Sequence, residues 1–179
     1  MEIYGMDKEK SGISFTEIMI VMAIIGIMTG IAIPNILEWL PAKRVNGAIR
    51  NLSADIQWTK MKAVSDNKNY VICFDTDKSV YSIYRSDTCN TKKPSEKRVN
   101  ISAEYPGIII DDVSFGNTNP YLVFNPTGRP SGAGHVYLIP KEDIGDKYLS
   151  TDGYKRTDRF RLIKVLTTGM VKIGDSSDK

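Results

Sequence analysis

Gly12-Ile13-Ser14-Phe15-Thr16-Glu17-Ile18-Met19-Ile20-Val21-Met22-Ala23-Ile24-Ile25-Gly26-Ile27 opens an apolar run that continues through Gly30-Ile31-Ala32-Ile33 to Pro34-Asn35. From Ile13 to Ile33 there are 21 residues and a single charge, Glu17. A helix of that length is about 30 Å long, enough to cross a bilayer. A carboxylate near the end of such a helix is costly and calls for a partner or an exit to water. A secretory signal would carry an apolar stretch of roughly 7–15 residues and then a small-residue cleavage site. This run is longer, and residues 34–40 read Pro-Asn-Ile-Leu-Glu-Trp-Leu, with no such site. The sequence therefore predicts a retained membrane helix behind a short polar leader, residues 1–12.

Outward from that helix, the pattern becomes amphipathic after Pro41. Val45, Ala48, Ile49, Leu52, Ile56, Met61 and Val64 are read as one buried face, and Lys43, Arg44, Arg50, Asp55 and Lys60 as the polar side. Pro34 and Pro41 each remove a helix hydrogen bond, which predicts a kink or local unwinding. Trp39 suits a membrane interface, and Trp58 is expected to pack on the domain. Asp66-Asn67-Lys68-Asn69 stops the helix. Beyond it come short strand-like runs. Residues 70–74 and 80–84 form a hairpin around Asp75-Thr76-Asp77-Lys78. Residues 86–98 read as a polar loop, and 99–102 and 107–110 as short apolar runs. Residues 121–124 and 135–139 flank a Gly/Pro-rich turn, and 160–166 with 170–173 form a closing hairpin. A helix followed by many short strands predicts a segregated α+β fold: a long N-terminal helix, transmembrane in one half and amphipathic in the other, packed on an antiparallel β-sheet domain.

The junction at Gly12 and the run from Ile13 to Ile27 resemble the class III signal of type IV pilins and type II secretion pseudopilins. That resemblance implies cleavage by a prepilin peptidase between Gly12 and Ile13 and N-methylation of Ile13. It makes Glu17 the fifth mature residue, the position that the family keeps acidic. Departures are Ile13 where the family often has Phe, and a leader with Lys8 and Lys10 against Glu2, Asp7 and Glu9. Lys43, Arg44 and Arg50 follow the span, so the positive-inside rule does not set its orientation. The new amine on Ile13 of an adjacent subunit is the expected partner of Glu17 in a water-free helical bundle. Gly26 and Gly30 add a small-residue spacing that permits close helix approach. Phe124-Asn125-Pro126-Thr127-Gly128 and Thr168-Gly169-Met170-Val171-Lys172-Ile173 resemble the GspH/FimT branch, which includes the minor pseudopilin called protein H, although the usual glycine-arginine of the last turn is Gly169-Met170 here.

The resemblance implies four parts: a leader at 1–12, a membrane and assembly helix at 13–34, an amphipathic half at 35–66 and a β-rich periplasmic domain at 67–179. It implies partners too: other pilins or pseudopilins through the helix, prepilin peptidase, and inner-membrane lipid.

The remaining motifs exclude more than they add. At 179 residues, with 25% charged and 41% apolar residues, the chain holds one ordinary domain plus an appendage. A net charge of +3 implies no nucleic-acid partner by itself. Cys73 and Cys89 lack zinc-site spacing. They are either two thiols or, outside the cytoplasm, a disulfide contributing about 3 kcal/mol. Asp75-x-Asp77-x-Ser79 opens like an EF-hand but lacks the turn glycine and the final Glu. The glycines of 128–134 lack a phosphate-loop Lys-Ser/Thr pair. His135, the only histidine, has no evident acid–base partner, and no serine has a neighbouring base. No metal, cofactor or catalytic set is expected; the chain reads as a structural subunit, not an enzyme. The C-terminal basic residues, Arg156, Arg159, Arg161 and Lys164 among them, read first as a solvated strand face. DNA phosphate contact is the alternative.

Overall fold

The computed structural model describes residues 12–89, 94–116, 119–142 and 160–174, without the side chains of residues 34–38. The chain divides into two compact units, Met1–Trp39 and Leu40–Lys179. Its first element, α1, runs Phe15–Ser65, and the helical assignment includes Pro34 and Pro41, so of the expected kink or local unwinding it is the unwinding that does not occur. In the first unit, Phe15–Ile33 is long and apolar enough to cross a membrane, and none of it is buried.

In the second unit α1 presents Val45, Ala48, Ile49, Leu52, Ile56, Thr59 and Ala63 to the core. Steps of three or four residues, with Ala48 and Ile49 as an adjacent pair, keep these on one face. Met61 and Val64, expected on that face, are 62% and 51% exposed. The step from Ile56 to Met61 is five residues, which turns the side chain about 140° off the buried stripe. Asp55, expected on the polar side, is buried as well. Asn67, at φ 50°, ends the helix, and the Lys68 amide closes onto the Ala63 carbonyl at 3.2 Å. Trp58 packs against the core, as its sequence position suggested.

Among the described residues, eight strands follow in two antiparallel sheets. Sheet A has the order β3-β2-β1-β5 and sheet B the order β4-β6-β7-β8. Strands β1 (Tyr70–Asp75) and β2 (Val80–Tyr84) form the expected hairpin, with Asp75 opposite Val80. The Lys78 amide donates to Asp75 Oδ1 at 3.1 Å, which makes the EF-hand lookalike a capped turn. Strand β3 (Lys97–Asn100) pairs with β2.

Ile101, read with an apolar run from 99 to 102, instead begins a helical turn, α2 (Ile101–Glu104). Asn100 caps it, accepting from the Ala103 amide at 3.1 Å. Strand β4 (Ile108–Phe115) extends past the expected end at 110 because a register shift between Ile110 and Asp112 accommodates the acidic pair. Strands β5 (Tyr121–Phe124) and β6 (Gly134–Pro140) flank the expected turn, yet they belong to different sheets. The turn is thus a crossover. Strands β7 (Arg161–Val165) and β8 (Val171–Gly174) close the chain as a hairpin.

One core cluster links α1 to both sheets through Ile72, Ile83, Leu122 and Phe124 of sheet A and Phe115, Val136, Leu138 and Ile163 of sheet B. Phe74 bridges the sheets, with its ring 6.2 Å from Tyr81 and 6.0 Å from Phe115.

Candidate functional site

The exposed apolar stretch of α1 is the first unit's main feature. Gly12, Ile13 and Ser14 precede the helix, and Glu17 lies in its first turn, where a carboxylate suits the helix dipole. The Glu17 and Ile18 amides both donate to the Ser14 carbonyl, at 3.0 and 3.2 Å, and Ser14 Oγ lies 2.7 Å from Thr16 Oγ1. Among the described residues no side chain bonds or ion-pairs with Glu17. Large side chains from Ile13 and Phe15 to Ile33 stand exposed on every face. A helix apolar all round needs an apolar environment, either lipid or other helices.

In the second unit the sequence-predicted residues separate. Cys73 on β1 and Cys89 beyond β2 are joined by a disulfide, with their Cα atoms 5.8 Å apart. Beside it, Asn69 Nδ2 donates to Asp87 Oδ1 at 2.7 Å, so the segment after β2 is held at two points. Of the four basic residues considered for DNA, Arg156 and Arg159 lie outside the described residues. Arg161 is half-buried and works as a bracket: its Nε donates to Asn46 Oδ1 on α1 at 2.8 Å, and its Nη1 to the Phe160 carbonyl at 2.8 Å. Lys164 is exposed, between His135 on β6 and Lys172 on β8 in register.

His135 does have an acidic neighbour, contrary to the sequence reading. Its Nε2 lies 3.1 Å from Asp112 Oδ2, and its ring meets Tyr137 edge-on at 4.9 Å. Asp112 comes from the bulged strand 23 residues earlier, so spacing along the chain gave no signal. Among the described residues no hydroxyl bonds the imidazole, so the pair lacks the nucleophile of a relay. No group of three His, Cys, Asp or Glu residues that could hold a metal occurs among the described residues.

A polar knot missed by the sequence reading lies under sheet A. Asp55 of α1 accepts from the Tyr81 hydroxyl at 2.6 Å and from Lys97 Nζ at 2.6 Å. Burial, then the bond to Asp55, pushes the Tyr81 phenol well above its ordinary range. Tyr70 is pushed up to about 12 by burial and its bond to Asp66, whose carboxyl is held low chiefly by that same Tyr70 hydroxyl.

The two turn motifs converge on α1. Lys60 Nζ donates to the Gly169 carbonyl at 3.0 Å. A Cβ added at Gly128 would lie 3.2 Å from both Lys60 Cε and Val64 Cγ2. One added at Gly169 would lie 2.7 Å from the Gly128 carbonyl. Both glycines have positive φ, 75° and 76°.

A family model described as Type II transport protein GspH matches residues 48–157. The chain belongs to the GspH family. Among solved structures it is similar to the minor pseudopilin EpsH from the type 2 secretion system of Vibrio cholerae, with a TM-score of 0.52 and 10% identity over 75% of this chain and 99% of that chain. It is also similar to the type IV minor pilin FimU of Pseudomonas aeruginosa, with a TM-score of 0.55 and 14% identity over 76% of this chain and 92% of that chain. At these identities the likeness is one of fold. No curated protein matches the sequence. This GspH-family chain thus has the pilin-like fold, an N-terminal apolar helix with antiparallel sheets, in a family of structural subunits. The glycine turns that resembled the branch in sequence are those gathered at Lys60.

Proposed function

We propose that this chain is a minor pseudopilin, a structural subunit of a type II secretion pseudopilus that supports protein secretion. The reading rests above all on one observation: an unburied apolar helix, Phe15–Ile33, in a chain of the GspH family. The precursor is a single-pass protein of the bacterial inner membrane, with the domain from residue 67 in the periplasm and residues 35–66 forming the amphipathic half of the helix. Prepilin peptidase removes residues 1–12 between Gly12 and Ile13, and Ile13 is N-methylated. The helix of residues 13–34 then moves from lipid into a bundle of other pilin-type helices. There Glu17 pairs with the Ile13 amine of a neighbouring subunit, which replaces lost hydration with an opposite charge and sets the register.

Mass spectrometry of the protein from cells with active peptidase tests the first step. The expected N-terminus is methylated Ile13; a chain retaining Met1 to Gly12 would mark an unprocessed membrane anchor instead. Glu17→Val is expected to be processed normally and to fail to enter filaments.

A type IV minor pilin, acting in pilus assembly or DNA uptake, is the second reading, favoured by the likeness to FimU. Deletion separates the two: loss of enzyme secretion supports the first, and loss of twitching or transformation supports the second.

A further inference from the structure

The two sulfurs of the Cys73–Cys89 disulfide are unequally placed. Cys73 sits inside β1, which pairs with β2 on one side and β5 on the other. A chain segment can therefore reach it only over a face of sheet A. That face is the one turned away from α1. Ile72 and Phe74, on either side of Cys73, belong to the core cluster, and successive side chains of a strand point to opposite faces. Cys73 is half-buried, with Ser82 and Tyr121 directly opposite it in the two ladders. Opposite residues share a side of the sheet, so both flank its sulfur. Cys89, with Asp87 and Thr88 before it, is exposed on the segment that arrives over that face.

Thiol–disulfide exchange begins when a thiolate attacks one of the two sulfurs, on the side opposite the bond that breaks, so access decides which sulfur is taken. At Cys89 that side is solvent. At Cys73 it is the sheet itself. The chain has two cysteines and both are in the bond, so the attacking thiol comes from outside.

The disulfide has a narrow task in the fold. Strand β1 is placed by its two ladders. What the bond holds is the segment after β2, with the bond from Asn69 to Asp87 as a second tie. Val71 and Tyr84, paired in register, are buried on this same face, opposite to that of Ile72 and Ile83 in the core.

We propose that Cys89 is a thiol-exchange site of the folded protein, open to a small thiol of the glutathione class, and that exchange there unlatches the segment after β2. The thiolate bonds to Cys89 Sγ, the Cys73–Cys89 bond breaks, and Cys73 leaves as a thiolate that takes a proton from water. A second thiol attacks the outer sulfur of the adduct. That step frees the Cys89 thiol and forms the disulfide of the small thiol, so two electrons pass to the protein. Helix α1 and the ladders of both sheets stay in place.

The test uses the full chain in detergent, treated with reduced glutathione, quenched with iodoacetamide and mapped by peptide mass spectrometry. Glutathione is expected on Cys89 and the alkylated thiol on Cys73, with the reverse pattern roughly tenfold rarer. The rate should stay flat in urea below the unfolding transition. Hydrogen exchange of the reduced chain should rise at residues 86–89 and stay unchanged from Val45 to Ala63. Single variants keep the test decisive if Cys73 expels the adduct too fast to trap. With glutathione disulfide, Cys73→Ser should load its remaining thiol roughly tenfold faster than Cys89→Ser does. Adducts on Cys73, or on both sulfurs alike, overturn the proposal, as does equal loading of the two variants. So do exchange that needs urea-induced unfolding, a rise in hydrogen exchange along α1, and a wild-type bond that glutathione never opens.

Discussion

Lys97 Nζ on β3 and Asp55 Oδ1 on α1 lie 2.6 Å apart, and the other Asp55 oxygen takes the Tyr81 hydroxyl. Three elements are tied at one buried carboxylate. Removing it leaves a buried phenol without an acceptor and a half-exposed ammonium without a partner, so Asp55→Ala should cost about 3 kcal/mol. Urea denaturation checks this, and Asp55→Asn, which keeps one acceptor, should cost less.

The same phenol makes stability fall in base. Tyr81 and Tyr70 bind their protons more tightly folded than unfolded, since both are raised from 10.0. Their contribution is complete below pH 10 and is lost as pH climbs toward about 12 for Tyr70 and higher for Tyr81. At the other end, the lowered Asp66 carboxyl contributes above its ordinary 3.8, and that contribution is lost as pH falls below it. A melting-temperature profile should decline on both sides, and Tyr81→Phe should soften the alkaline limb.

Reducing the Cys73–Cys89 bond frees a segment that spans 16 residues of sequence. The chain-entropy model gives a loss of about 3 kcal/mol. Denaturation with and without reductant measures it, and the double variant Cys73→Ser, Cys89→Ser should match the reduced wild type.

Arg161→Ala should cost about 1–2 kcal/mol, because it deletes the half-buried bond from β7 to Asn46 on α1. Lys164→Ala, on an exposed strand position, should cost little. If the domain binds DNA at low salt, Lys164→Ala should weaken binding without unfolding. An effect of Arg161→Ala on binding then has to be compared at equal folded fraction.

Local pattern carried much of this. The single charge between Ile13 and Ile33 made the span legible, and the Asp75–Lys78 turn made the first hairpin legible. What failed was whatever depends on partners far along the chain. Asp55 looks like a surface acid on a helix until Tyr81 and Lys97 arrive from sheet A. Asp111 and Asp112 look like the end of a strand until a bulge carries β4 past them. His135 looks unpartnered until that bulge delivers Asp112. Arg161 looks like one basic residue in a solvated row until Asn46 is seen beside it. Met61 and Val64 were misplaced for a local reason, a five-residue step taken as helical.

The bond from Lys60 to Gly169 spans 109 residues of sequence. Its amine belongs to the first element of the second unit to be synthesised, and its carbonyl to nearly the last. Contacts of such separation slow folding, since a long chain must be closed before they form. The part of the core closed by Ile163, Val165 and Val171 therefore stays open until the closing hairpin has been made. A chain truncated before β7 should remain sticky and protease-sensitive, however complete its first sheet. The tail of the polypeptide thereby sets the moment at which the subunit is finished.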